Sequence, residues 1–166
     1  KTLMKDLYVV ILAAGQGTRM KSKLPKVLHQ AAGKTLLEHV TELAFKLKPK
    51  QVTVVVPKQH DSFKSLPSFS KNKVSFAVQA QQLGTGHAVR AAMSGIKSKR
   101  GQVLVLNGDM PLARLNSVRK LIQMQQKKKT AVSLLTAEVE DSFGYGRILR
   151  NGKGALIGIV EHKDAT

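Results

Sequence analysis

Apolar and polar positions along the chain alternate between two periods. Tyr8–Ala13 is an unbroken apolar run, the pattern of a strand buried on both faces. Over Thr35–Leu47 the period changes, and Leu36, Leu37, Val40, Leu43, Ala44 and Leu47 fall on one helical stripe. Val52–Val56 is a β-branched strand run closed by Pro57, and Val74–Val78 is a third strand. Between them Ser65–Ser70 has the composition of a polar loop. Thr85–Ile96 predicts a helix with Ala88, Val89, Ala92, Met93 and Ile96 facing inward and Thr85 capping its first turn. Val103–Leu106 predicts a fourth buried strand, and Leu115–Met124 a helix. Three lysines follow that helix, where they suit the negative end of its dipole.

Strands separated by crossover helices imply an α/β sandwich with a mainly parallel sheet. After Thr130 the helices stop. Ala131–Val139, Arg147–Arg150 and Leu156–Val160 predict strands in direct succession, with Asn151-Gly152 as a hairpin signal. The last third is therefore expected to add a mixed or antiparallel extension. No repeat or long linker interrupts the 166 residues, which suit a single domain.

Composition narrows this reading. Hydrophobic residues make up 42% of the chain and aromatics 4%, so the core must be mainly Val, Leu, Ile and Ala. There is no cysteine, hence no disulfide framework, which fits a cytoplasmic setting. No apolar run approaches the roughly 18–20 residues of a membrane span. The N-terminal apolar run ends in a glycine turn and reads as a strand rather than a signal peptide. The net charge of +18 suits salt-sensitive contact with polyanions. Yet the clusters Lys97–Arg100 and Lys127–Lys129 have no interleaved aromatics for base stacking, so no specific nucleic acid is expected.

Three unusual segments follow predicted strands, and ligands of a parallel α/β sheet bind beyond the carboxyl ends of its strands. The first runs from Leu12 through Ala13, Ala14, Gly15, Gln16 and Gly17 to Arg19, with Lys26 beyond Leu24-Pro25. Small residues let a ligand approach the backbone, turn N–H groups cradle phosphate oxygens, and Arg19 and Lys26 supply positive charge. An ordinary glycine turn has the same look. Met20 stands at the third glycine position of a dinucleotide fingerprint, and the P-loop Gly-Lys-Ser/Thr is absent. The second segment is Gln79–His87. Glutamine amides match the edge of a base, and Gly84 and Gly86 leave room for a flat ring; a polar loop capping a helix is the plainer alternative. In the third, Asn107-Gly108-Asp109-Met110-Pro111, a strand-terminal Asp109 suits a hard cation such as Mg²⁺; a turn aspartate is the alternative. Tyr145-Gly146-Arg147 and Glu161–Asp164 are polar enough to contact sugar hydroxyls; ordinary surface residues are the plainer alternative. The five histidines show no metal-ligand spacing, and His29, His39 and His60 are read as structural or surface residues.

Together these segments resemble the GlmU family of bacterial N-acetylglucosamine 1-phosphate uridylyltransferases, in their N-terminal domain. The likeness is carried by Leu12–Met20, Leu24–His29, Gln79–Ala88, Asn107–Leu112, Tyr145–Ile148 and Ile159–Thr166. The first glycine motif is common to many sugar-nucleotide transferases. Gln82-Leu83-Gly84-Thr85-Gly86-His87-Ala88 and the run from Val160 to Thr166 are more particular to this family.

The resemblance implies a Rossmann-like nucleotidyltransferase fold. It also implies Mg²⁺-dependent uridylyl transfer from UTP to N-acetylglucosamine 1-phosphate, giving UDP-N-acetylglucosamine and pyrophosphate. By position, Leu12, Ala13, Ala14, Gly15 and Gly17 line the nucleotide, and Gln79, Gln82, Gly84 and Thr85 hold the uracil end. Gly146 and Glu161 hold the sugar, Asp109 binds Mg²⁺, and Arg19 and Lys26 neutralise the triphosphate and the leaving pyrophosphate. In the family the domain runs on past the final motif to a sugar-contacting asparagine and a second metal ligand. A trimer-forming β-helical acetyltransferase half follows. The resemblance thus makes residues 1–166 one nucleotidyltransferase domain, incomplete at its C-terminus and monomeric without that half. Asn107 departs from relatives with an aromatic there, which alters packing beside Asp109 but not charge. Three alternatives remain open: a related transferase using another nucleoside triphosphate, a basic nucleotide- or nucleic-acid-binding module, and a remnant that binds nucleotide without turnover.

Overall fold

A computed structural model describes residues 6–15, 17, 20–71, 73–98 and 100–165. The chain divides into two compact units, Lys1–Ser133 and Leu134–Thr166. In the first unit, β1 (Leu7–Leu12) leads into the glycine segment and a 3₁₀ turn at Lys26–Leu28. A small hairpin of β2 (Gln30–Ala31) and β3 (Lys34–Thr35) precedes α1 (Leu36–Lys46). Then come β4 (Gln51–Val56), α2 (Asp61–Lys64), α3 (Pro67–Lys71), β5 (Val74–Val78), α4 (Thr85–Met93), β6 (Gln102–Asn107) and α5 (Leu115–Lys128). The second unit holds β7 (Arg147–Arg150), β8 (Leu156–Val160) and a 3₁₀ turn at His162–Asp164.

The four long strands form one parallel sheet in the order β5-β4-β1-β6. β1 is central, and strand alternation sends its side chains to two different cores. Leu7, Val9 and Ile11 join Leu37, Val40 and Ala44 of α1 and Val118 and Ile122 of α5. Tyr8 and Val10 join Ala88, Ala92 and Ile96 in and after α4. Burial of both faces explains why β1 is a continuous apolar run and why Val52–Val56 of β4 is wholly β-branched, with Thr53 buried among valines. Each fully buried Val or Leu contributes about 1.5–3 kcal/mol of transfer free energy. The start of α1 is fixed by a capping box: Thr35 Oγ1 accepts from Glu38 N–H, and the Glu38 carboxylate accepts from Thr35 N–H.

The structure corrects several expectations. Ser65–Ser70 is not a plain loop, because Leu66 is buried with Phe63 and the chain turns into α3. Thr85 does not cap α4. Gly84 holds the N-cap position at φ 91°, and no side chain bonds to the cap. Met93 is exposed rather than inward. β6 buries Leu104, but α4 packs over β1, β4 and β5 and leaves Val105 41% exposed.

Ala131–Val139 is not a strand. It pairs with no described strand, and Gln125 donates instead to the carbonyls of Thr130 and Ala131. An apolar segment needs a partner edge before it becomes a strand.

In the second unit β7 and β8 pair antiparallel, as expected, with Arg147 opposite Val160. The turn is longer than a two-residue Asn-Gly hairpin. Asn151 Oδ1 accepts from the backbone N–H groups of Lys153 and Ala155, each at 3.0 Å. The left-handed residue is Gly154 rather than Gly152.

Candidate functional site

The chain runs from β1 outward through β4 to β5, then returns to place β6 on the other side of β1. The strand order therefore reverses between β1 and β6. A crevice opens at such a switch point, beyond the carboxyl ends of the strands. The ladder continues past the strands here, since Gly108 N–H donates to Leu12 O at 2.9 Å. A Cβ on residue 108 would lie 2.9 Å from that same oxygen. Only glycine lets the two loops close up this way. The glycine segment after β1 and Asp109 after β6 are thereby held side by side.

Lys26 joins them. Its ammonium donates to Asp109 Oδ2 at 2.7 Å, across 83 residues of sequence. Val27 and Leu28 of the same 3₁₀ turn are buried and anchor the lysine's backbone. Gly17 lies against the root of the side chain: a Cβ at position 17, where φ is +59°, would be 2.6 Å from Lys26 Cβ. The lysine stem thus rises beside the glycine turn and ends on the carboxylate. The side chains of Lys26 and Asp109 are 41% and 33% exposed, so the pair is open to solvent and ligand.

The glutamine segment reaches the same place. Gln82 donates its amide N–H to Ala14 O at 2.7 Å, tying the second segment to the first. Gln79 is 5% exposed, and its amide nitrogen lies 3.0 Å from Gly84 O and 3.2 Å from His87 Nδ1. It shapes the Gly84–Thr85 turn from within. α4 begins at Thr85, and with no side-chain cap its first N–H groups point out of the turn.

A groove of about 410 Å³ runs over Ala13, Ala14, Gly15, Leu24, Pro25 and Gln82, with Pro57 and Lys58 on its far wall. This is the volume range of small-ligand sites. The Pro57-Lys58-Gln59 wall is the part that sequence reasoning missed. A signal was present, because every loop that leaves a parallel strand arrives at this edge. A second depression, about 570 Å³, lies at the opposite edge between Tyr8, Lys50, Gln51, Ser75 and Lys97. There Asp6 accepts a hydrogen bond from Lys50 and holds its ammonium pKa above the usual lysine value. That depression is larger, but it lies at the amino ends of the strands, away from the switch point and its converging loops.

Of the residues singled out from sequence, Leu12, Ala13, Ala14, Gly15, Gly17, Lys26, Gln79, Gln82, Gly84, Thr85 and Asp109 belong to the first unit and arrive at its carboxyl edge. Arg19 lies outside the described residues. Gly146 and Glu161 belong to the second unit. The pairing of Arg147 with Val160 sets them beside each other at the open end of the β7–β8 ribbon. Arg147 donates to Ser142 O at 2.8 Å and also to Tyr145 O, stiffening the loop before Gly146. Among the described residues no group of three or more His, Cys, Asp or Glu could hold a metal ion. No described helix is long and apolar enough to cross a membrane.

Residues 9–147 match the family model for the MobA-like NTP transferase domain. The chain is 50% identical over 160 residues to the bifunctional protein GlmU of Streptococcus mutans, which covers 96% of this chain and 34% of the relative. It is 47% identical over 161 residues to bifunctional GlmU of Pseudomonas aeruginosa PAO1, covering 97% and 34%. The chain therefore spans about a third of the length of these curated relatives. Among solved structures, HddC from Yersinia pseudotuberculosis complexed with GMP-PN aligns with a TM-score of 0.66 at 24% identity, covering 93% of this chain and 68% of that one. Rv0371c from Mycobacterium tuberculosis, in complex with manganese, aligns with a TM-score of 0.60 at 17% identity, covering 74% and 61%.

Proposed function

The chain belongs to the family of MobA-like NTP transferase domains, and from that premise we propose that it moves a uridylyl group from UTP to N-acetylglucosamine 1-phosphate. The products are UDP-N-acetylglucosamine and pyrophosphate. The carrying observation is the Lys26–Asp109 pair beside the glycine turn, at the switch point of the sheet. Identity of 50% to a GlmU protein over nearly the whole chain supports the choice of substrates. We assign both units to one nucleotidyltransferase domain.

A phosphate oxygen of the sugar phosphate attacks the α-phosphorus of UTP in line. A new P–O bond forms, the bond to the β-phosphate oxygen breaks, and its electron pair leaves with pyrophosphate. The nucleophile is already an anion, so no general base is needed. The work left to the protein is to bring two anions together and to stabilise charge on the leaving group. Leu12, Ala13, Ala14, Gly15 and Gly17 present backbone to the nucleotide, and Arg19 and Lys26 set positive charge against its phosphates. Gln82, Gly84 and Thr85 are assigned to the uracil end. Gln79 acts there chiefly by holding Gly84 in place. Gly146 and Glu161 are assigned to the sugar.

Asp109 fits a divalent cation, since its part-exposed carboxylate already faces a cationic group at 2.7 Å. With one carboxylate available, the remaining ligands would be phosphate oxygens and water, as Mg²⁺ prefers. Bound there, Mg²⁺ would withdraw charge from the phosphates. The manganese described for Rv0371c supports a divalent ion in this fold.

The test measures thermal protection by UTP, CTP, dTTP and GTP in turn, then pyrophosphate release with Mg²⁺ and N-acetylglucosamine 1-phosphate. A ligand that binds only the native state raises its stability by mass action. UTP should protect most. Selective protection by another triphosphate would make the chain a related transferase. Tight polynucleotide binding with no protection by any triphosphate would make it a basic binding module.

A further inference from the structure

Lys26 has two claims on it: the site chemistry asks for its charge at the phosphates, and the structure puts that charge on Asp109. We propose that Lys26 is the built-in counter-cation of Asp109 in the ligand-free site, and that loading hands it over: Asp109 passes to the divalent cation, and the released ammonium passes to the nucleotide phosphates. This inference rests on the metal-dependent reading of the site given above.

Three observations carry it. The ion pair is direct, at 2.7 Å, and no other donor reaches the Asp109 carboxylate among the described residues. It is also weakly held, because pairs this exposed contribute only about 0.2–1 kcal/mol and are readily exchanged. Finally, the root of the lysine is fixed while its tip is not. Lys26 Cβ sits against Gly17 and the neighbouring Val27 and Leu28 are buried. The flexible stem therefore pivots from a point beside the glycine turn, within reach of that turn and of Asp109 alike.

Charge balance favours the exchange. In the ligand-free site the carboxylate and ammonium cancel. A bare divalent cation arriving alone must displace the lysine and then share the site with its charge, which is unfavourable. A cation arriving with a triphosphate brings the anion that the displaced lysine needs. Lys26 thus acts as a positioning residue that penalises metal without nucleotide and couples the two ligands, and such coupling is reciprocal.

The experiment measures Mn²⁺ binding without nucleotide, from the electron paramagnetic resonance signal of the free ion. Wild type is compared with Lys26→Met, Lys26→Gln, Lys26→Arg and Asp109→Asn, each checked for native circular dichroism. Removing one positive charge at contact distance should tighten Mn²⁺ on the order of tenfold in both neutral variants. Lys26→Arg, which keeps the charge, should bind like wild type, and Asp109→Asn should lose the site. Using two neutral variants guards against one that fails to fold. Asp109-dependent Mn²⁺ binding that is equal in wild type and both neutral variants would overturn the handover and leave the metal assignment standing. Absence of any Asp109-dependent binding in all of them would overturn both.

Discussion

Two glycines of the same turn should respond in opposite ways to an added methyl group. At Gly17 the backbone has φ +59°, which costs an L-residue about 1–2 kcal/mol. The new Cβ would also lie 2.6 Å from Lys26 Cβ, where carbon atoms rest at about 3.5–4.0 Å. Lys26 Cβ is the anchored root of its side chain and cannot swing aside. Overpacking of this kind adds about 1–3 kcal/mol. Gly17→Ala should therefore lose roughly 2–4 kcal/mol, allowing for relaxation of a surface turn. At about 2–4 °C per kcal/mol for a domain of this size, the melting temperature falls by on the order of 10 °C. A methyl group on Gly15 would meet no atom of the described residues within 4 Å, and the backbone there is not left-handed. Gly15→Ala should be neutral or stabilising by up to about 1 kcal/mol, through the unfolded chain. Its methyl points into the open space assigned to the nucleotide, so UTP protection should fall while the fold holds. The assay is urea unfolding of both variants, with and without UTP. Equal stability of the two would refute the reading of the Gly17–Lys26 contact, and unaltered UTP protection in Gly15→Ala would refute the cradle.

Asp109→Ala should abolish metal-dependent pyrophosphate release while costing no more than about 1 kcal/mol of stability, because it breaks one part-exposed ion pair; wild-type turnover would remove Asp109 from the reaction. Gln82→Leu should weaken UTP protection severalfold and cost about 1 kcal/mol in urea unfolding, through loss of the bond to Ala14 O. Unchanged UTP protection would show that the tie between the two loops is dispensable. The Glu42 carboxyl lies below its usual pKa because Lys34 donates a hydrogen bond to it. A depressed folded pKa contributes stability above about pH 4.5 that is lost as pH falls through the folded value. Glu42→Gln should flatten the acid limb of the stability curve by less than about 0.5 kcal/mol, a small effect because the pair is exposed. A larger change would place Glu42 in some other interaction.

The two inner strands β1 and β4 were legible in the sequence because burial on both faces favours continuous apolar or β-branched runs. Leu7–Leu12 is wholly apolar, and Val52–Val56 is wholly β-branched with Thr53 buried among valines. Helices α1 and α4 were legible from one stripe each, whereas the short α2 and α3 were not. Elements failed where a local pattern depended on a distant partner. Ala131–Val139 is apolar enough to read as a strand but has no paired edge among the described residues. Ser65–Ser70 looked polar, yet buried Leu66 and half-buried Phe69 pull it into the core. The candidate site was legible in residue type and illegible in pairing. Glycines, glutamines and a strand-terminal aspartate announce a ligand edge. That Lys26 bonds to Asp109, and that Gln79 spends its amide nitrogen on Gly84 and His87, follows only from the fold. Spacing in sequence carries no trace of an 83-residue contact.

The central strand explains why such different residues meet. β1 is flanked by β4 and β6, and its ladder with β6 continues one step beyond both strands through Gly108. Two backbones this close leave no room for side chains between them, so the chemistry must come from the rims. Asp109 stands on one rim and Lys26 on the other, with Gln82 closing the third side through Ala14 O. The glycines are therefore a condition of the charge pair, because they bring its two carriers within a hydrogen bond of each other. The net charge of +18 acts on a different quantity. A net positive charge raises the encounter rate of anionic ligands in a way that salt screens. On the proposed reading, discrimination among nucleotides falls to the groove over Ala13, Ala14, Gly15 and Gln82, at short range where salt screens little.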